Sequence, residues 1–219
     1  MKAAHDPTLF ARIGLGVLAH LRAQRRACDG AGAAAAAGAV ILVSSARAGE
    51  GRSFVAQGLA VALAGQQGGS VAWVDASFGT RFDDACGGTC DGGATVGLAQ
   101  ILALGALHGH APAGPARLWR IARGAQARPE LLYRPDAVRQ GLAALRAGFA
   151  LTVIDAPPLA LCGALLAAAD ACVMVVDARR TSSPCARQAL ADAALEPAWL
   201  AGVVLNHRPR PVPRWLGGD

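Results

Sequence analysis

The sequence is short of charge and of long apolar runs. Asp, Glu, Lys and Arg make up 16% of it, against 53% hydrophobic residues. A chain with so little charge and so much to bury does not stay disordered. Its mean hydropathy of +0.35 raises the question of a membrane span. No run reaches the ~18 uncharged apolar residues that a spanning helix needs. Arg12, Arg22, Asp155 and Asp170 interrupt the best candidates. The N-terminus also lacks the charged region, long apolar core and cleavage site of a signal peptide. These absences predict a compact cytoplasmic protein. At 219 residues it suits one domain with a sizeable core.

What charge there is leans positive, with a net +6 and an isoelectric point near 9.5. Arginines cluster at Arg22, Arg25 and Arg26, and again at Arg208, Arg210 and Arg214. Such clusters can meet phosphates or lipid headgroups, but a solvated arginine-rich surface accounts for them more simply. Of the 6 cysteines, Cys162 and Cys172 lie in apolar surroundings and read as core residues. Cys86, Cys90, His108 and His110 have the ligand types of a zinc site, without a standard spacing.

The richest stretch runs from Val40 to Ser53. Val40–Val43 is an apolar, β-branched run that predicts a buried strand. A turn of small residues with Gly49 and Gly51 follows, and Ser53–Ala64 has the residue types of a helix. Strand, glycine turn and helix together aim backbone N–H groups at a phosphate. The pattern for such a loop is G-x-x-x-x-G-K-[ST]. Here Ala46 stands at the first glycine and Arg52 at the lysine, while Gly51 and Ser53 match.

Around this loop the chain alternates strands and helices. Pro7 to about Ala27 has helical apolar spacing, and Gly30–Gly38 reads as an Ala/Gly linker. The helix could pack on the domain, on another subunit or on a membrane surface. Ser70–Asp75 predicts a second strand, Arg117–Ile121 a third, and Phe149–Asp155 a fourth. Ala171–Asp177 and Leu200–Asn206 predict two more. Helical pieces are expected at 96–107, 129–132, 136–147, 164–170 and from Pro184 to about Leu195. Continuously apolar strands between helices mean a mainly parallel sheet covered on both faces, a three-layer α/β sandwich. Asp75 and Asp155 end their strands, where ligands sit in such folds. Four hydrophobes before Asp155 form the acidic-strand arrangement that holds a metal or water beside a phosphate loop.

In order along residues 39–208, the phrases resemble the cytoplasmic kinase domain of bacterial tyrosine kinases of capsule and exopolysaccharide synthesis. That family lies within the MinD/ParA/Mrp-like P-loop ATPases. Ser44-Ser45 through Gly49-Glu50-Gly51-Arg52-Ser53 is similar to its S-S-x-x-P-G-E-G-K-S. Val74-Asp75-Ala76-Ser77 is similar to its D-x-D strand end, and Gly97-Leu98 to Leu102 to G-L-x-x-x-L. Arg128-Pro129-Glu130-Leu131-Leu132 resembles N-P-x-E-L-L, and Val153-Ile154-Asp155-Ala156-Pro157-Pro158 resembles I-I-D-x-P-P. Gly202-Val203-Val204-Leu205-Asn206 closes the set.

The resemblance implies a P-loop NTPase domain at 39–208, after an N-terminal helix and linker (1–38) and before a Pro/Arg tail (209–219). It implies ATP and Mg²⁺ as cofactors. The backbone of Ala48, Gly49, Glu50, Gly51, Arg52 and Ser53 would cradle phosphates, with Arg52 at the lysine's place. Ser53, Asp75 and Asp155 would surround the metal and the attacking hydroxyl, and Asn206 would approach the adenine. The departures fall on the chemistry. Arg52 replaces lysine, Ser77 the second acid of D-x-D, and Gly79 an arginine. Tyr133 is the 1 tyrosine, where active relatives carry a tyrosine cluster as substrate. The N-terminal helix lacks the family's E-x-x-R-x-x-R assembly pattern. The expectation is therefore a degenerate or regulatory member, beside a membrane polysaccharide co-polymerase or chain-length regulator. It would be cytoplasmic or peripheral at the inner membrane, and could form a homo-oligomer; nucleic acid is not an expected partner. An active ATP-dependent tyrosine kinase or ATPase, and a MinD/ParA-type positioning ATPase, are the alternatives.

Overall fold

The computed structural model describes residues 7–28, 38–77, 97–107, 117–124 and 129–208. The Cys86, Cys90, His108 and His110 set, the greater part of the 30–38 linker and the tail from residue 209 lie outside them. Among the described residues, no group of three or more His, Cys, Asp or Glu could hold a metal ion.

Among the described residues, six parallel strands form one sheet in the order β3-β2-β4-β1-β5-β6. They are β1 (Ala39–Ser45), β2 (Val71–Asp75), β3 (Leu118–Ile121), β4 (Leu151–Asp155), β5 (Ala171–Asp177) and β6 (Leu200–Asn206). β1, β4 and β5 are buried along their whole length. Both faces of these central strands are covered, so their sequences read as unbroken apolar runs. β1 shows the division of labour. Val40 and Leu42 join one core, while Ala39, Ile41 and Val43 join the other. The period-2 alternation of a strand sends successive side chains to opposite layers.

The helices are α1 (Pro7–Cys28), α2 (Arg52–Gln66), α3 (Leu98–Leu104), α4 (Pro135–Gly148), α5 (Gly163–Ala168) and α6 (Ser183–Asp192). α3, α4 and α5 build the first core with Leu102, Leu142, Leu145 and Leu165. α1 and α2 build the second with Phe10, Val17, Leu59 and Leu63. The N-terminal helix therefore docks on the domain, with Gln66 Nε2 donating to the Ala11 carbonyl oxygen at 2.8 Å. α2 runs through Gly65 and ends at Gln66, since Gln67 N–H still reaches the Leu63 carbonyl. The expected 96–107 helix is shorter, Leu98–Leu104, because Gly105 turns left-handed at φ 65°. Residues 129–133 are 3₁₀ rather than α.

At the back of the sheet, Asp170 fastens β1 to α4. Its Oδ2 accepts the Val40 N–H at 2.7 Å and both Arg146 Nε and Nη2, at 3.1 and 2.9 Å. The opposite, carboxyl-terminal edge of the sheet carries the loop and its acids.

Candidate functional site

The loop leaves β1 at Ser45 and enters α2 at Arg52. Gly49 and Gly51 stand at φ +82° and +88°, left-handed conformations that a Cβ would strain. Gly51 caps α2 with no side-chain hydrogen bond. The first-turn N–H groups of the helix are thus left to an outside acceptor, at the positive end of the helix dipole.

Glu50 shapes the loop from inside. It is 2% exposed, and its Oε2 accepts the Arg47 N–H at 2.9 Å. Its Oε1 accepts the Asp177 N–H at 3.2 Å and the Thr181 hydroxyl. One buried carboxylate thus clamps the loop to the end of β5. On the neighbouring strand, Asn206 Nδ2 donates to the Glu50 carbonyl oxygen at 2.9 Å. That side chain occupies the space a Cβ on Gly51 would need. Asp177 braces the same corner. It accepts the Arg179 N–H at 2.9 Å and lies 3.0 Å from His207 Nδ1. The Arg179 N–H and the His207 contact hold its carboxyl below the usual range.

The sheet register brings the two strand-end acids side by side. Asp75 pairs with Asp155 across β2 and β4, and Asp155 pairs with Val43 of β1. Asp155 is 1% exposed, and its Oδ1 has no hydrogen-bond partner. Burial pushes its pKa up to about 6, against the pull of the Ser53 hydroxyl and the Arg52 guanidinium; the nearby Asp75 adds to the rise. An orphaned buried carboxylate oxygen beside a serine hydroxyl is a set of hard oxygen donors suited to Mg²⁺.

Asp75 is engaged differently. Its Oδ1 accepts the Ser77 N–H at 3.0 Å and the Ser77 hydroxyl at 2.6 Å. Its Oδ2 lies 3.4 Å from Arg123 Nε. Ser77, read in the sequence as a lost acid, thus works as a cap on the acid that remains. Arg123 gave no signal, since it follows β3 in a stretch without a motif and reaches Asp75 only through the β2–β3 pairing.

Arg52 is 6% exposed and turned inward. Its Nη1 donates to the Ala156 carbonyl oxygen, one residue beyond Asp155. Burial lowers its pKa, and Asp155 and Glu50 draw it back up. The guanidinium therefore joins the loop to the end of β4. The structure brings together Arg52, Ser53, Asp155 and Asp75 on one side of β1, and Glu50, Asp177 and Asn206 on the other.

No protein-family model matches the chain, and no curated protein matches it in sequence. Solved structures do match. The VpsO kinase domain superposes with a TM-score of 0.65 at 21% identity, covering 94% of this chain and 100% of that one. The kinase domain of the Escherichia coli tyrosine kinase ETK gives 0.61 at 18%, over 91% and 78%. A ParA family ATPase from Chlorobium tepidum gives 0.57 at 18%, over 78% and 73%. The shared feature is the fold. This chain has the α/β architecture of P-loop ATPases and of bacterial tyrosine kinase domains, with its glycine turn and strand-end acids at the sheet's carboxyl edge. Among the described residues, no helix is long and apolar enough to cross a membrane.

Proposed function

We propose that this chain is a nucleotide-binding P-loop domain of the bacterial tyrosine-kinase type that has become a regulatory member. It would bind ATP and ADP with Mg²⁺ and turn ATP over slowly. It would act beside a membrane polysaccharide co-polymerase at the cytoplasmic face of the inner membrane. The observation that carries the nucleotide reading is the pairing of two elements. An uncapped helix N-terminus behind two left-handed glycines faces a buried carboxylate with an unpartnered oxygen.

In this reading the first-turn N–H groups of α2 hold the β-phosphate, and Ser53 and Asp155 hold the cation. Bound Mg²⁺ would neutralise phosphate charge, which is the main electrostatic need of phosphoryl transfer. Asp75, already bonded to Ser77 and Arg123, keeps the metal side of the site negative without adding a second free acid. The reading of reduced turnover is supported by Arg52. A lysine at this place is a compact charge for the terminal phosphates, whereas this guanidinium is committed to the Ala156 carbonyl. Losing a preorganised clamp group of this kind costs roughly 3–4 kcal/mol of transition-state stabilisation.

Calorimetric titration with ATP and ADP, with and without Mg²⁺, tests the proposal. Micromolar, Mg²⁺-dependent binding with turnover far below that of a working kinase is the expected result. No heat at millimolar nucleotide would leave a structural subunit and overturn the reading. An active autokinase is the second reading, favoured by the 58% exposure of Tyr133. Phosphate incorporated at Tyr133 and lost in Tyr133→Phe would establish it.

A further inference from the structure

Arg52, at the lysine's place, points inward, so a cation for the outer phosphates comes from another residue. The described residues hold no lysine, since Lys2, the one lysine of the chain, lies outside them. The turn after β5 holds a candidate. Arg180 is exposed there, and a Cβ placed on Gly49 would lie 3.6 Å from its Nη1. Its guanidinium therefore lies directly over the phosphate loop.

Three contacts fix the backbone of that turn. The Arg180 and Thr181 N–H groups both donate to the Asp177 carbonyl oxygen, at 3.1 and 2.9 Å. The Thr181 hydroxyl then donates to Glu50, the buried carboxylate that shapes the loop. The β5 turn and the loop are thus joined, and of the arginines near that junction Arg180 is the one whose guanidinium lies against Gly49. Gly49 has no side chain to hold the guanidinium away. Among the described residues Arg180 makes no side-chain hydrogen bond or ion pair, and its charge adds slightly to what holds the Asp177 carboxyl low.

We propose that Arg180 supplies the cationic contact to the terminal phosphates of a bound nucleoside di- or triphosphate, in place of the loop lysine. This inference rests on the nucleotide-binding reading above. A planar fork of N–H donors suits two phosphate oxygens at once. Reaching across the loop from another strand, it grips the ligand without entering the space that Arg52 fills. Binding is then preserved while the transfer geometry of a compact ammonium is not. The division assigns the buried arginine to loop structure and the exposed one to ligand.

The test is calorimetric titration of the full chain with Mg²⁺ and ATP, ADP or AMP, in four proteins. They are the wild type, Arg180→Ala, Arg180→Lys and Arg187→Ala. Arg187 is an exposed α6 residue bonded to Ser183 and serves as the control. A charge-assisted contact of this kind is worth about 10- to 100-fold in affinity. Arg180→Ala should therefore lose about tenfold or more for ATP and ADP, and much less for AMP. Arg180→Lys should recover part of the loss, and Arg187→Ala should bind as the wild type. Thermal melting of each protein shows that it is folded. Wild-type affinity for ATP in a folded Arg180→Ala protein overturns the assignment and leaves nucleotide binding intact. Absence of binding by the wild type overturns both.

Discussion

Asp155 is kept ionised only against its surroundings. It lies in the sheet's interior with one oxygen unbonded, and burial lifts its pKa from 3.8 to about 6. A carboxyl whose folded pKa lies above its unfolded one binds its proton more tightly when folded. Its contribution favours the folded state below pH ~4 and is lost as pH rises through about 6. That rise corresponds to roughly 3 kcal/mol of stability given up at neutral pH. Asp155→Asn removes that charge and keeps the shape. It should raise the thermal midpoint at pH 8 and leave it nearly unchanged at pH 3.5. The same variant should lose Mg²⁺-dependent nucleotide binding, because the amide offers the cation one neutral oxygen. A lower midpoint at pH 8 would mean that the carboxylate has a stabilising partner there. Little of this was legible in the sequence. Four hydrophobes before an aspartate predict a buried strand end, and Asp155 is there. That Arg52 turns to Ala156, or that Glu50 folds back onto Thr181, depends on residues more than 100 positions away.

α1 is held to α2 by a close fit of one ring against one glycine. Phe10 is 3% exposed, and a Cβ on Gly58 would come within 2.5 Å of its ring. Phe54 meets the same ring edge-on, with centroids 5.6 Å apart. Two effects of Gly58→Ala oppose each other. In a helix interior alanine is favoured over glycine by about 1 kcal/mol. Forcing a methyl into a packed contact costs roughly 1–3 kcal/mol. At 2.5 Å the clash outweighs the gain in helix propensity, so Gly58→Ala should lower stability in urea unfolding. The loss should shrink when Phe10→Leu makes room. A gain of about 1 kcal/mol in the single variant would show α1 to be undocked in solution. The sequence displayed α1 as amphipathic, but an apolar stripe fits a domain, a subunit or a membrane alike. The choice is made by Gly58, whose role needs the crossing of two helices to be seen. The central strands were readable for the converse reason. Cover on both faces writes itself into every residue of β1, β4 and β5. The helix ends were less so, because Gly65 is tolerated inside α2 while Gly105 ends α3 by turning left-handed.

Across the whole molecule, two apolar layers are joined by one sheet, and the candidate site collects the ends of most of its strands. The loop follows β1, Asp75 ends β2 and Asp155 ends β4; Asp177 ends β5 and Asn206 ends β6. A ligand gripped there touches both layers through their shared strands, so it should stabilise the molecule as a unit. For one site and no affinity for the unfolded chain, ligand at 100 times its dissociation constant adds about 2.7 kcal/mol. A domain of this size gains roughly 2–4 °C per kcal/mol. Mg²⁺-ADP at that excess should therefore raise the midpoint by roughly 5–10 °C in a single transition. Omitting Mg²⁺ should remove most of the rise, and so should Asp155→Asn, although that variant starts from a higher midpoint. The two shifts have opposite signs, which separates a functional acid from a merely buried one. A structural aspartate replaced by asparagine would change the starting midpoint and leave the response to nucleotide as it was.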